Sequence, residues 1–203
     1  MDNRRRRVPA LSPEERRAAL IEATIPLLHE HGIDVSTRQI AQAAGVAEGT
    51  IFGVFETKSS LVVMSVIKAL DAQPTLDALA AIDRSLPLRA RMIQASELIR
   101  ARFAENMHLM AAARRLIIAG QTDPEEAKRM TANRENLHAA LTEVIEPDTA
   151  RLRRSPGDVA RLILLFCGAS TYGPFGDPDG FNSEETVSLL LDGLLDRGTQ
   201  QKC

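Results

Sequence analysis

The chain has 203 residues, 44% of them hydrophobic and 26% charged, enough apolar mass for one or two packed domains. No apolar run approaches the roughly 20 residues of a membrane span, and the longest, from Leu162 to Cys167, reads as part of a buried helix. The net charge of −2 excludes a uniformly basic nucleic-acid binder, so any such role must rest on how charge is distributed.

Residues 1–11 carry Arg4, Arg5, Arg6 and Arg7 with no apolar stretch behind them, which reads as a disordered basic arm rather than a secretory signal. Residues 1–58 hold eight basic and eight acidic side chains, and half of the basic ones sit in that arm. Ser12-Pro13-Glu14-Glu15 has an N-cap serine, a proline at the first helical position and a glutamate that closes a capping box. Ala18, Ile21, Ile25 and Leu28 follow at spacings of three and four, so an amphipathic helix is expected up to Gly32. A second helix starts at Ser36, with Gln39 as its box partner. Ile40, Ala41 and Ala44 give it one apolar face, and Gly45 supplies the positive φ of a sharp turn. Val46 is expected in the corner, and Ile51, Phe52 and Phe55 form the next apolar face. A helix, a glycine turn and a second helix are the parts of a helix-turn-helix, whose second helix enters the major groove of DNA. Thr57 can cap a fourth helix running through Leu61, Met64 and Ile67 to about Ala72.

Beyond Pro74 the same signals recur. A short helix is expected over Thr75 to Ile82. A longer one follows Pro87, with Leu88, Met92, Ala95, Ile99 and Phe103 on one face, and a further stretch covers Met107 to Ala119. Asp123-Pro124-Glu125-Glu126 opens a helix to about Ile145, and Ser155-Pro156-Gly157-Asp158 opens one to about Ser170. Tyr172 to Asn182, with three glycines and two prolines, reads as a loop. Ser183 is expected to cap the final helix, which Gly198 closes. With no convincing alternating strand pattern, the fold class is all-α, about nine helices. The expected division is a helix-turn-helix domain over 12–72, including a connecting helix, and a helical body over 73–203.

The run from Ser36 to Leu61, STRQIAQAAGVAEGTIFGVFETKSSL, resembles the DNA-binding segment of the TetR family of bacterial repressors, whose pattern is T-x-x-x-I-A-x-x-A-G-V-S-x-G-T-L-Y-x-H-F-x-x-K-x-x-L. The motif resemblance covers about residues 13 to 64; the body is similar only in its helical architecture. It implies that Thr37 and Arg38, at the start of the second helix, face DNA. An arginine there can bond guanine O6 and N7. It also places Ala47, Glu48, Gly49, Thr50, Phe52 and Gly53 on the recognition helix. Thr50 resembles a phosphate contact, Glu48 lies where bases are read, and Gly49 allows close backbone approach. Lys58 resembles a further phosphate contact, and a lysine at a helix N-terminus is unfavourable for the dipole, which favours that role. Ala47 departs from the usual capping serine, Phe52 from tyrosine and Val54 from histidine, and Gly53 stands where a bulky contact residue is common. The recognition helix is therefore poor in donors, and the four arginines of the arm can compensate by tracking phosphates or entering the minor groove.

Met92, Phe103, Met107 and Met110 lie on helices that surround an effector pocket in that family, and methionine suits adaptable apolar sites. For each of them plain core is the competing reading. Arg114 and Arg115 read as surface residues. The most continuous apolar faces belong to the last two helices, with Val159, Ile163, Phe166, Val187, Leu190, Leu191 and Leu194. Two such helices from each subunit would make a four-helix dimer interface. His29 and His31 are two apart and do not pair on a metal, and Cys167 and Cys203 have no metal spacing and read as free thiols in a reducing cytoplasm. No nucleophile-base pair, P-loop or zinc motif is present, so no metal, cofactor or enzymatic activity is expected. The resemblance implies a cytoplasmic homodimer that binds a palindromic double-stranded operator and is released by a small-molecule effector. Two other readings stay open: a helix-turn-helix regulator that is constitutive or controlled by a protein partner, and a helical enzyme or adaptor that binds no DNA.

Overall fold

The structure is a computed structural model that describes residues 12–169 and 181–193. Among the described residues there are nine α-helices and no strand: α1 (Pro13–His31), α2 (Thr37–Ala44), α3 (Glu48–Phe52), α4 (Lys58–Ala69), α5 (Gln73–Ala80), α6 (Leu88–Ile118), α7 (Pro124–Ile145), α8 (Pro156–Ala169) and α9 (Ser183–Asp192). Two 3-10 turns, Gly32–Asp34 and Glu146–Arg151, follow α1 and α7.

The expected caps account for several of the helix starts. Ser12 Oγ accepts from the Glu15 amide at 3.1 Å, and the Glu15 carboxylate accepts from the Ser12 amide at 2.7 Å. Hydrogen bonds from the Ser12 amide and hydroxyl hold the Glu15 carboxyl below its ordinary value. Ser36 with Gln39 and Asp123 with Glu126 make the same reciprocal pairs. Thr57 Oγ1 accepts from the Ser60 amide at 3.0 Å and starts α4. At the last helix the expected cap is off by one: Asn182, not Ser183, bonds the Glu185 amide, and Ser183 is buried inside the first turn. Gly193, at φ 78, caps α9, and Gly198 lies outside the described residues.

Other boundaries also moved. Pro74 opens α5 rather than merely ending α4, because its missing N–H costs nothing in a first turn. The two stretches expected on either side of residues 104–106 are one helix of 31 residues. Nothing from Ala104 to Met107 is a glycine or proline, so the backbone has no reason to stop. In α1 the buried stripe is Leu20, Thr24 and Leu28; Ala18 is exposed, and Ile21 and Ile25 are half-buried. Thr24 is admitted to that stripe because its hydroxyl donates to the Leu20 carbonyl at 2.7 Å.

Packing divides the chain into two units, Met1–Ala69 with His108–Ala127, and Leu70–Met107 with Lys128–Cys203. Helix α6 contributes to both units. In the first unit α1 packs on α2 and α4, and α2 on α3. Its core holds Leu28, Val35, Ile40, Ile51, Phe55, Leu61, Val63 and Val66, together with Leu109 and Leu116 of α6.

The core of the second unit joins Leu79, Met92, Ile99, Leu141, Val144, Ile163 and Val187, which come from α5 to α9. Two arginines of α6 are buried beside it, and the apolar spacing did not single them out. Arg91, 1% exposed, donates to the Val144 carbonyl at 2.8 Å and pairs with Asp148. Arg102 donates to the carbonyls of Asp71 and Leu70 at 2.9 and 2.6 Å, and Asn133 also donates to Leu70. Desolvation lowers the pKa of Arg102, opposed by the charges of Asp71 and Glu105. Both arginines lie on the stripe that runs through Ala95 and Ile99 at spacings of three and four, and that register was the available signal.

Candidate nucleic-acid interface

Gly45 sets the geometry of the turn. It adopts φ 66 and ψ 30, the left-handed region, and ends α2. Its amide reaches the Gln42 carbonyl at 3.2 Å, and the Val46 amide reaches that of Ala41 at 3.0 Å. This pair of bonds is a Schellman closure, which caps the carbonyls of α2 while it reverses the chain. Val46 is half-buried in the corner, and Ile51 and Phe55 fix the next segment to the core.

α3 has only five residues, and its N-cap, Ala47, makes no side-chain bond. Its polar anchor is elsewhere. The hydroxyl of Thr37, at the start of α2, donates to the carboxylate of Glu48, at the start of α3. These are two of the residues expected to face DNA, and the first unit brings them together 11 positions apart in sequence. Sequence reasoning missed the pairing because each residue was read against DNA and not against the other.

The remaining expected contacts stand as follows. Arg38, Ala47, Gly49 and Gly53 are exposed, while Thr50 and Lys58 are half-buried. Phe52 is 53% exposed, so it belongs to the outer surface and not to the apolar face that Ile51 and Phe55 form. A side chain at Gly49 would meet no atom within 4 Å, which leaves open space beside the backbone there. Arg17 of α1 supports the far end of α3. It lies 4.4 Å from the ring centre of Phe55 and donates to the Val54 carbonyl at 3.4 Å. Arg4 to Arg7 lie outside the described residues.

Residues 20–63 match the family signature described as bacterial regulatory proteins, tetR family. That segment is similar to the DNA-binding segment of the TetR family. Similar solved structures extend the likeness over most of the chain's length. The fatty acid degradation regulator FadR from Bacillus halodurans is 16% identical, with a TM-score of 0.63 over 93% of this chain and 100% of that one. A tetR-family regulatory protein from Rhodococcus RHA1 is 17% identical, with a TM-score of 0.63 over 88% of this chain and 96% of that one. FadR from Bacillus subtilis, solved in complex with stearoyl-CoA, is 14% identical, with a TM-score of 0.61 over 88% and 99%. At these identities the likeness establishes the shared all-α fold.

Of the residues expected around an effector, Met92 is fully enclosed in the second unit's core and Phe103 packs against that core half-exposed. Met107 and Met110 are half-buried, and Met110 falls in the first unit. Of the expected dimer residues, Val159, Ile163 and Val187 are buried in the subunit's own core, and Leu190 and Leu191 pack against it. Phe166 is 38% exposed, and Leu162 and Leu165, which the apolar spacing had not singled out, are 40% and 50% exposed on the same helix. Leu194 lies outside the described residues. The Cys167 thiol is buried, and burial pushes its pKa up to about 11. Among the described residues no helix is long and apolar enough to cross a membrane.

Proposed function

We propose that the chain is a cytoplasmic, homodimeric repressor that binds a palindromic double-stranded operator and leaves it when a small molecule binds the helical body. The observation that carries the DNA-binding part is a helix-turn-helix with its apolar residues inward and Arg38, Gly49 and Phe52 outward. Thr37, Arg38, Ala47, Glu48, Gly49, Thr50, Phe52, Gly53 and Lys58 form the contact surface, with the arm of Arg4 to Arg7 supplying charge. An arginine-bearing start of α2 and an open backbone at Gly49 suit a phosphate-lined groove.

The effector part rests on other support. FadR from Bacillus subtilis was solved with stearoyl-CoA, a small molecule, and this chain shares its fold. On α6, between Met92 and Phe103, the Ser96 hydroxyl is buried without a hydrogen-bond partner among the described residues. A polar group so placed favours a body able to accept a ligand with an acceptor atom. For dimerisation, Leu162, Leu165 and Phe166 give α8 an exposed apolar face beside the packed α8–α9 pair.

The test has two stages. The full-length chain is used to select a binding site from duplexes with a randomised core. The selected complex is then challenged with a panel of metabolites that includes acyl-CoA esters, read by fluorescence anisotropy. Selection of a palindrome and release by one metabolite class is the expected result. A selected site that no metabolite releases would leave a regulator without a small-molecule effector.

A further inference from the structure

We propose that Thr37 and Glu48 act as one reading unit, in which Thr37 is a positioning residue that aims the Glu48 carboxylate at a base edge bearing a donor. This rests on the DNA-binding reading above. A threonine hydroxyl has a single hydrogen, and in the free subunit that hydrogen goes to Glu48 Oε1. Thr37 then has no hydrogen left to donate to a phosphate while the bond stands. Glu48 keeps its second oxygen, Oε2, which can only accept.

The surroundings favour this role. Glu48 is exposed, and α3 lacks a side-chain cap at Ala47, so the bond to Thr37 is a polar link between the starts of α2 and α3. A free glutamate on a five-residue helix would sample many rotamers; the hydroxyl selects those that place Oε1 over α2. Gly49 beside it adds no side chain, and after α3 Gly53 and Val54 add no donors, so Glu48 carries the one charge on α3. In the major groove a fixed acceptor pairs with cytosine N4 or adenine N6. It is repelled by guanine O6 and N7 and by thymine O4.

Glu48→Gln, which removes the charge and keeps the shape, makes the test sharp. Glutamine keeps a carbonyl oxygen that Thr37 can still bond, and turns the outward group into an NH2 donor. Sites are first selected with the wild-type full-length chain, and each base pair of the selected duplex is then substituted. Glu48→Gln is expected to reverse the preference at one pair per half-site, from cytosine or adenine towards guanine or thymine, by about fivefold or more. Thr37→Val, which removes only the hydroxyl, is expected to flatten the preference at that same pair, and Thr37→Ser to restore it. A Glu48→Gln variant with the wild-type preference at every pair overturns the assignment, as does a Thr37→Val variant weakened equally on all sequences, which would make Thr37 a phosphate contact. If the wild type selects no sequence at all, the DNA-binding reading itself falls.

Discussion

Ala47 and Gly49 flank Glu48 at the start of α3, and a substitution at either should stabilise the free subunit. Alanine at Gly49 meets no atom in the free subunit and removes a flexible residue from a helix, so Gly49→Ala should raise stability by about 0.5–1 kcal/mol. The same methyl would stand where a phosphate or base is expected to approach, so operator affinity should fall. Thermal melting and anisotropy on one preparation check both; a variant that gains stability and keeps full affinity would remove close backbone approach from the account. Ala47→Ser restores the absent cap and should stabilise by about 1 kcal/mol. What was legible at single positions was local chemistry: capping serines, the turn glycine, buried Ile40 and Ile51. What was not legible was pairing across distance. Thr37 with Glu48, and Arg17 with Phe55 and Val54, need the folded chain to meet.

The two arginines on Asp148 separate burial from contact. Arg91 of α6 and Arg151 in the turn after α7 both bond its carboxylate, but their side chains are 2% and 71% exposed. Removing Arg91 strips a buried charge pair and the Val144 carbonyl of their donor, so Arg91→Ala should cost about 3 kcal/mol or more. Arg151→Ala should cost about 0–1 kcal/mol, because water screens the exposed partner. Urea denaturation measures both, and equal losses would contradict the burial argument. Helices were readable as elements where caps and punctuation agreed, as in α1, α2 and α7. Ends failed where a signal has two readings. Proline stops one helix and starts the next, as at Pro74, and adjacent Asn182 and Ser183 can each cap. The continuous α6 was split because its apolar face changes character near Asn106, although its backbone does not.

For the assembled molecule, the residues of α8 and α9 divide by exposure. Apolar spacing identified both helices as strongly hydrophobic but could not tell which residues the subunit itself consumes. Val159, Ile163 and Val187 go inward, leaving Leu165 as the cleanest probe of a partner surface. Leu165→Glu should fold normally, sediment as a monomer and lose operator affinity, since a buried charge is costly at an apolar dimer interface. A folded dimeric Leu165→Glu variant would place the interface elsewhere. The arm is tested by salt. Deleting residues 1–8 should weaken binding at low salt and flatten the slope of log K against log salt by about 0.9 for each arginine that held a phosphate. An unchanged slope would make Arg4 to Arg7 a solvated tail.

The central claim is sequence-specific DNA binding through α2 and α3, and Arg38 tests it most directly because it is exposed at the start of α2 and holds no part of the core. The affinity of Arg38→Ala and wild type is compared across every single base-pair substitution of the selected duplex. The account predicts a loss of about 1–3 kcal/mol on the selected site, with relaxed preference at one base pair. Binding by Arg38→Ala that is unchanged in strength and preference on every duplex would contradict it.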